Sequence, residues 1–215
     1  MDGTSRRRFL QLGGALVGTS ALPSLAHAQA ADGPLKHEQD AWMDALPRGH
    51  RLAIDCALPF GAEEGTQFAL TYLSTSRSGY QVAPEAQGVV IILRHRATLF
   101  AMTHEMWAKY PYLTEHSKYD DPETKVRARR NTLYGTVERP GGVLASLVRS
   151  GVHFAVCGAA LSFYANAIAD ETKVNASDVL NDFRSHLIPN SHVVAAGIVG
   201  AQRLQEYGYS YVHGG

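Results

Sequence analysis

Apolar positions in this chain fall into short unbroken runs, separated by longer stretches where apolar residues recur every three or four positions. Gly88-Val89-Val90-Ile91-Ile92-Leu93 is the strongest run. Its lack of alternation predicts a central strand covered on both faces. His50-Arg51-Leu52-Ala53-Ile54-Asp55-Cys56-Ala57 predicts an earlier strand, which Leu58-Pro59-Phe60-Gly61 breaks. Gly151-Val152-His153-Phe154-Ala155-Val156-Cys157 predicts a third and His192-Val193-Val194-Ala195-Ala196 a fourth. Tyr209-Ser210-Tyr211-Val212 predicts a short last strand with the alternation of an edge. Between the strands, helical spacing runs over 62–78, with Phe68, Ala69, Tyr72 and Leu73 on one face, and over 97–110. It returns over 141–150, 159–168, 178–187 (with Asn175 or Ser177 as the cap) and 197–206. Residues 111–134 are polar and long for a connection. They read as a partly helical insertion placed to cover a site or a partner.

Strands alternating with helices at this spacing predict an α/β domain of three layers, a mostly parallel sheet with helices on both faces. Right-handed crossovers then put the C-terminal ends of the strands on one rim. Cys56, the run Arg94-His95-Arg96 and Cys157 each end a strand, so topology alone directs them to that rim. A thiol at the end of a strand and the start of a helix meets free backbone N–H groups and a positive dipole end, which favour the thiolate. The bland reading stands beside this one: a free cysteine closing a core strand is a common buried residue.

The first residues read as export rather than fold. Ser5-Arg6-Arg7-Arg8-Phe9-Leu10-Gln11 precedes an uncharged, mildly apolar run over 12–25 and then Ala26-His27-Ala28. This is the order of a signal peptide, too short and too rich in Gly and Ser to anchor in a bilayer. The arginine pattern resembles the twin-arginine export motif, so the expected location is the periplasm, with no membrane association after cleavage. Residues 29–49 are expected to be a flexible N-terminal segment ending in a helical turn docked by Trp42, and 50–215 the domain. Removing residues 1–28 takes away Arg6, Arg7, Arg8 and Asp2 and moves the formal charge from zero to −2. No basic excess argues for nucleic acid.

Cys56 and Cys157 are the only cysteines. In an oxidising compartment they also fit a structural disulfide or a redox pair with Cys56 as partner. Arg94 and Arg96 suit an anionic sulfur species, since guanidinium groups fork oxyanions. Pairing with carboxylates of a neighbouring subunit suits them equally. Met102, His104 and Met106 invite a metal or haem reading, but only the two methionines share a helical face and they are more simply core. No H-E-x-x-H, C-x-x-C or C-x-x-C-H motif, nucleophile elbow or Gly-rich phosphate loop occurs. No cofactor and no metal is expected.

Several pieces of the C-terminal half recur together. They are Gly151-Val152-x-Phe154-x-Val156-Cys157-Gly158-x-x-Leu161, Leu187-Ile188-Pro189, Val193-Val194-Ala195-Ala196-Gly197 and Leu204-Gln205-x-x-Gly208-Tyr209-Ser210-Tyr211-Val212. In order and spacing, over about residues 140–212, this half resembles the DsrE/DsrF-like family of small sulfur-transfer proteins. The resemblance implies a five-stranded, flavodoxin-like sheet and a trimer or hexamer. It also implies a persulfide carried on Cys157. From their place on the rim, Arg94, His95 or Arg96 would assist that sulfur, exchanged with a small sulfur species or a sulfur-carrier protein. The alternative from another class is a non-catalytic subunit of the cell envelope that uses the same fold for assembly or to bind haem or a metal.

Overall fold

The computed structural model of the chain describes residues 36–135 and 142–215. The signal-peptide reading falls on residues outside these. Five strands are described: β1 (His50–Cys56), β2 (Gln87–Leu93), β3 (His153–Cys157), β4 (Ser191–Val194) and β5 (Ser210–His213). They pair in the order β4-β3-β2-β1-β5, and every pairing is parallel. The fold class expected from the alternation of elements, a three-layer flavodoxin-like α/β architecture, is therefore present.

The unbroken run of β2 has its physical cause in this order. With a neighbour on each side and helices over both faces, all seven of its residues are buried. Val89, Ile91 and Leu93 join Leu52, Ile54, Phe154 and Val156 in one core. Val90 and Ile92 face the other way, with Ala53, Ala155 and Val194. The period of two thus sorts one apolar run into two cores.

Helices divide between the layers by the direction of travel. From β1 to β4 the chain steps across the sheet in one sense. Its crossovers use α2 (Pro59–Tyr80), α5 (Val143–Arg149), α6 (Gly158–Thr172) and α7 (Ala176–Ser185), whose buried residues belong to the first core. The step from β4 back past β1 to β5 reverses that sense. A right-handed crossover must then run over the opposite face, and α8 (Gly197–Glu206) sits there with Ala201 and Leu204 in the second core. α1 (Ala41–Ala45) shares that layer, with Met43 buried and Trp42 stacked on His192 at 4.0 Å between ring centroids. The turn after it is held by Arg51, whose guanidinium donates to the carbonyls of Asp44, Leu46, Pro47 and Tyr207.

Boundaries shift where tertiary contacts outweigh local pattern. Pro59 begins α2 rather than only ending β1, because the first helical turn tolerates a missing N–H. The single helix expected over 97–110 is instead a 3-10 segment, His95–Ala101, followed by α3 (His104–Lys109). Between them the backbone turns aside to bond another segment: Thr103 N–H donates to His186 and Ile188 N–H donates to Ala101. Met102 pairs with Leu187 in an isolated bridge. Asn175 is the cap of α7, its side-chain oxygen accepting from Ser177 N–H at 2.9 Å. The 111–134 segment opens with α4 (Tyr112–Ser117) and is pinned by Tyr119, whose hydroxyl donates to Glu63 at 2.7 Å.

Candidate functional site

At the C-terminal rim, over the ends of β2, β3 and β4, lies an open cavity of about 330 Å³. Its floor and walls come from five places. Arg94 and His95 follow β2, and Cys157 ends β3. The first turns of α6 supply Ala159, Ala160, Phe163 and Tyr164, and the start of α8 supplies Ala196, Gly197 and Ile198. His116, carried by α4, completes the lining.

Cys157 is the N-cap of α6, and its Sγ accepts a hydrogen bond from Ala160 N–H at 3.4 Å. A side chain at this position satisfies one of the free N–H groups of a helix end. Cys157 as a whole is only 6% exposed, but it lines the cavity. Beside it stands Arg94, with Asp55 as its fixed partner: Arg94 Nε and Nη2 donate to the two carboxylate oxygens at 2.7 and 2.9 Å. Asp55 is wholly buried, and Tyr211 of β5 donates its hydroxyl to the same carboxylate at 2.7 Å. Hydrogen bonding to Asp55 raises the Arg94 pKa first. Burial opposes this, and the charges of Asp55, Tyr211 and Cys157 add to it. Arg94 is thus a permanent cation in a fixed pose within electrostatic reach of the sulfur. Gly197 makes room for it, since a Cβ there would lie 2.3 Å from Arg94 Cβ.

β3 and β4 are neighbours whose following helices, α6 and α8, run over opposite faces of the sheet, a place where open α/β sheets commonly leave a crevice. The cavity lies there, and the Asp55–Arg94–Tyr211 cluster flanks it on the β1 side.

The remaining polar groups are graded by burial. His95 is exposed and holds a left-handed backbone, φ 50°. His116 packs its ring on Tyr112, Phe163 and Tyr164. Its pKa falls below the ordinary imidazole value, mainly through burial, with the nearby charges of Arg96 and His95 adding. Arg96 does not line the cavity. Its Nε is buried and finds no acceptor among the described residues. Tyr164 is buried with its hydroxyl 3.1 Å from Ser117 Oγ.

Of the residues picked out in the sequence, Arg94, His95 and Cys157 therefore meet at one cavity and Arg96 lies just behind it. Cys56 does not join them. It shares its core with Ile54 and Val156, fully buried, and burial together with the charge of Asp55 pushes its thiol up to about 12. Register places Cys56 beside Leu93 and Leu93 beside Val156. Two strand spacings, about 9.5 Å, separate Cys56 from β3, beyond the roughly 7 Å that a disulfide spans between Cα atoms. Cys157, one residue past Val156, turns to the other side of the sheet. Both cysteines are free. Arg94 pairs with Asp55 of its own chain. Met102 and Met106 are core, and His104 accepts from Asn131 N–H while meeting the carbonyl of Gly135.

Sequence reasoning missed Asp55, Tyr211 and His116. Asp55 had a signal, a lone charge inside an otherwise apolar strand. His116 had none, because an insertion brings it in.

No helix among the described residues is long and apolar enough to cross a membrane. Compared with models of known protein families the chain matches none, and no curated protein matches it either.

Proposed function

We propose that the chain is an exported sulfur-handling protein of the DsrE/DsrF-like type, with Cys157 as the atom that receives and passes on sulfur. The reading is supported above all by one observation: the Cys157 sulfur caps α6 at the floor of an open cavity, beside an arginine clamped by a buried carboxylate.

The chemistry follows from that placement. A thiolate is the nucleophile in sulfur exchange, and here the Ala160 N–H at the start of α6 and the Arg94 guanidinium both stand beside the Cys157 sulfur. Attack on the outer sulfur of a donor R–S–SH forms the Cys157 S–S bond and breaks the donor S–S bond. The outer sulfur keeps its proton, and R–S⁻ leaves with the electron pair. The product is Cys157–S–SH, and no external oxidant or reductant is needed. Arg94 then stands beside the negative charge of the departing thiolate. Asp55 and Tyr211 are positioning residues that hold Arg94. The expected assembly is a trimer or hexamer, measurable by light scattering.

The test is intact mass after exposure to a panel of sulfane donors. The expected result is one added sulfur atom, removed by a reductant and absent in Cys157→Ser. A protein whose Cys157 alkylates readily yet gains no sulfur from any donor would sink the reading.

A further inference from the structure

The cavity at Cys157 carries more information than the position of the sulfur. Among the described residues Arg94 is the only guanidinium in its lining, beside the imidazoles of His95 and His116, and it is paired with Asp55. No carboxylate side chain lines it among the described residues. Most of the remaining wall is carbon: Ala159, Ala160 and Phe163 from α6, Ala196 and Ile198 from α8. Phe163 and Ile198, on different helices, are 50% and 65% exposed, which is unusual for side chains of their size lining a recess. The volume, about 330 Å³, falls at the lower end of the range of roughly 300–1,000 Å³ that holds organic ligands.

These facts separate two classes of donor. An inorganic dianion such as thiosulfate is small and strongly hydrated. To enter it must shed water against an apolar wall, and the one guanidinium it meets already shares its charge with Asp55. An organic persulfide carries its reactive sulfur on a carbon group that loses nothing by leaving water. Building on the sulfur-transfer reading above, we infer that the natural donor is a low-molecular-weight organic persulfide, its carbon part seated between Phe163 and Ile198. The step remains the balanced exchange already given, with the organic thiolate as leaving group, and Phe163 and Ile198 become specificity-determining residues.

The experiment measures the rate of sulfur gain at Cys157, by intact mass, from benzyl persulfide generated in situ and from inorganic thiosulfate. Each rate is divided by that of N-acetylcysteine with the same donor, which removes intrinsic reactivity. The normalised rate is expected to favour benzyl persulfide by about tenfold or more, the scale of burying several carbon atoms. Phe163→Ser and Ile198→Ser should each cut that preference severalfold, with Cys157 still open to iodoacetamide. A normalised preference near one, or one for thiosulfate, overturns the inference and leaves the sulfur-transfer reading standing. Failure of both donors while iodoacetamide still reaches Cys157 overturns both. A changed oligomer size in the two variants, with donor preference intact, assigns these side chains to an interface between copies and also overturns the inference.

Discussion

Two cysteines of identical chemistry meet opposite fates in this chain. Cys56 points into a sealed core that holds its thiol at about 12, whereas Cys157 opens on a cavity at a helix start. Iodoacetamide should therefore label one thiol in the native protein and two in denaturant, and Cys157→Ser should remove the native one. Labelling of Cys56 in the folded state would contradict this placement. Asp55 shows the same dependence on surroundings. It is a buried carboxylate made tolerable by Arg94 and Tyr211, and truncating one partner of a buried pair strands the other charge. Asp55→Ala is expected to cost about 3–5 kcal/mol in urea unfolding, and Asp55→Asn, which keeps the shape, distinctly less.

At the level of elements, close approach decides what a position tolerates. Gly197 opens α8 directly against the stem of Arg94, so a methyl group there must displace the arginine or the helix. Gly197→Ala should lower stability by about 1–3 kcal/mol, the cost of overpacking. Gly79, near the end of α2 with nothing within 4 Å of an added methyl, should gain up to about 1 kcal/mol as alanine. Chemical denaturation of the two variants checks the contrast.

The docking of α1 carries a pH signature of its own. Trp42 stacks over His192, whose Nε2 lies 2.8 Å from His153 Nδ1. Burial, and then the charge of His153, lowers His192 to about 4. The unfolded chain takes up that proton near 6.5, the folded chain only near 4. Stability is thus complete above pH 6.5 and falls as pH drops from 6.5 towards 4. After allowance for solvent screening the loss is about 1–2 kcal/mol. Unfolding at pH 7 and pH 4.5, compared with His192→Gln, measures it, since the variant should lose that part of the slope.

For the whole molecule, strand order matters more than any single contact. Because β2 lies between β1 and β3, Cys56 and Cys157 are held apart and on opposite sides of the sheet. Mild oxidation of the native protein should leave its intramolecular disulfide unformed, as read by non-reducing intact mass. The bridge should appear only when the chain is first unfolded. Its formation in the folded state at native stability would show that the sheet order is wrong.

Much of this was written in local pattern. The run over Gly88–Leu93 and the spacing of strands and helices determined a layered parallel sheet, because a strand buried on both faces needs apolar residues without alternation and a parallel neighbour needs a crossover. The same spacing sent Arg94, His95 and Cys157 to one rim, a consequence of handedness rather than of any contact. The resting places of the side chains were decided only in three dimensions. Arg94 took Asp55 as its partner across neighbouring strands, and α4 delivered His116 to the cavity. The expected helix over 97–110 broke to bond the segment ending α7. Each of these depends on residues far apart in the chain, and the energy that selects them exists only once the layers have closed.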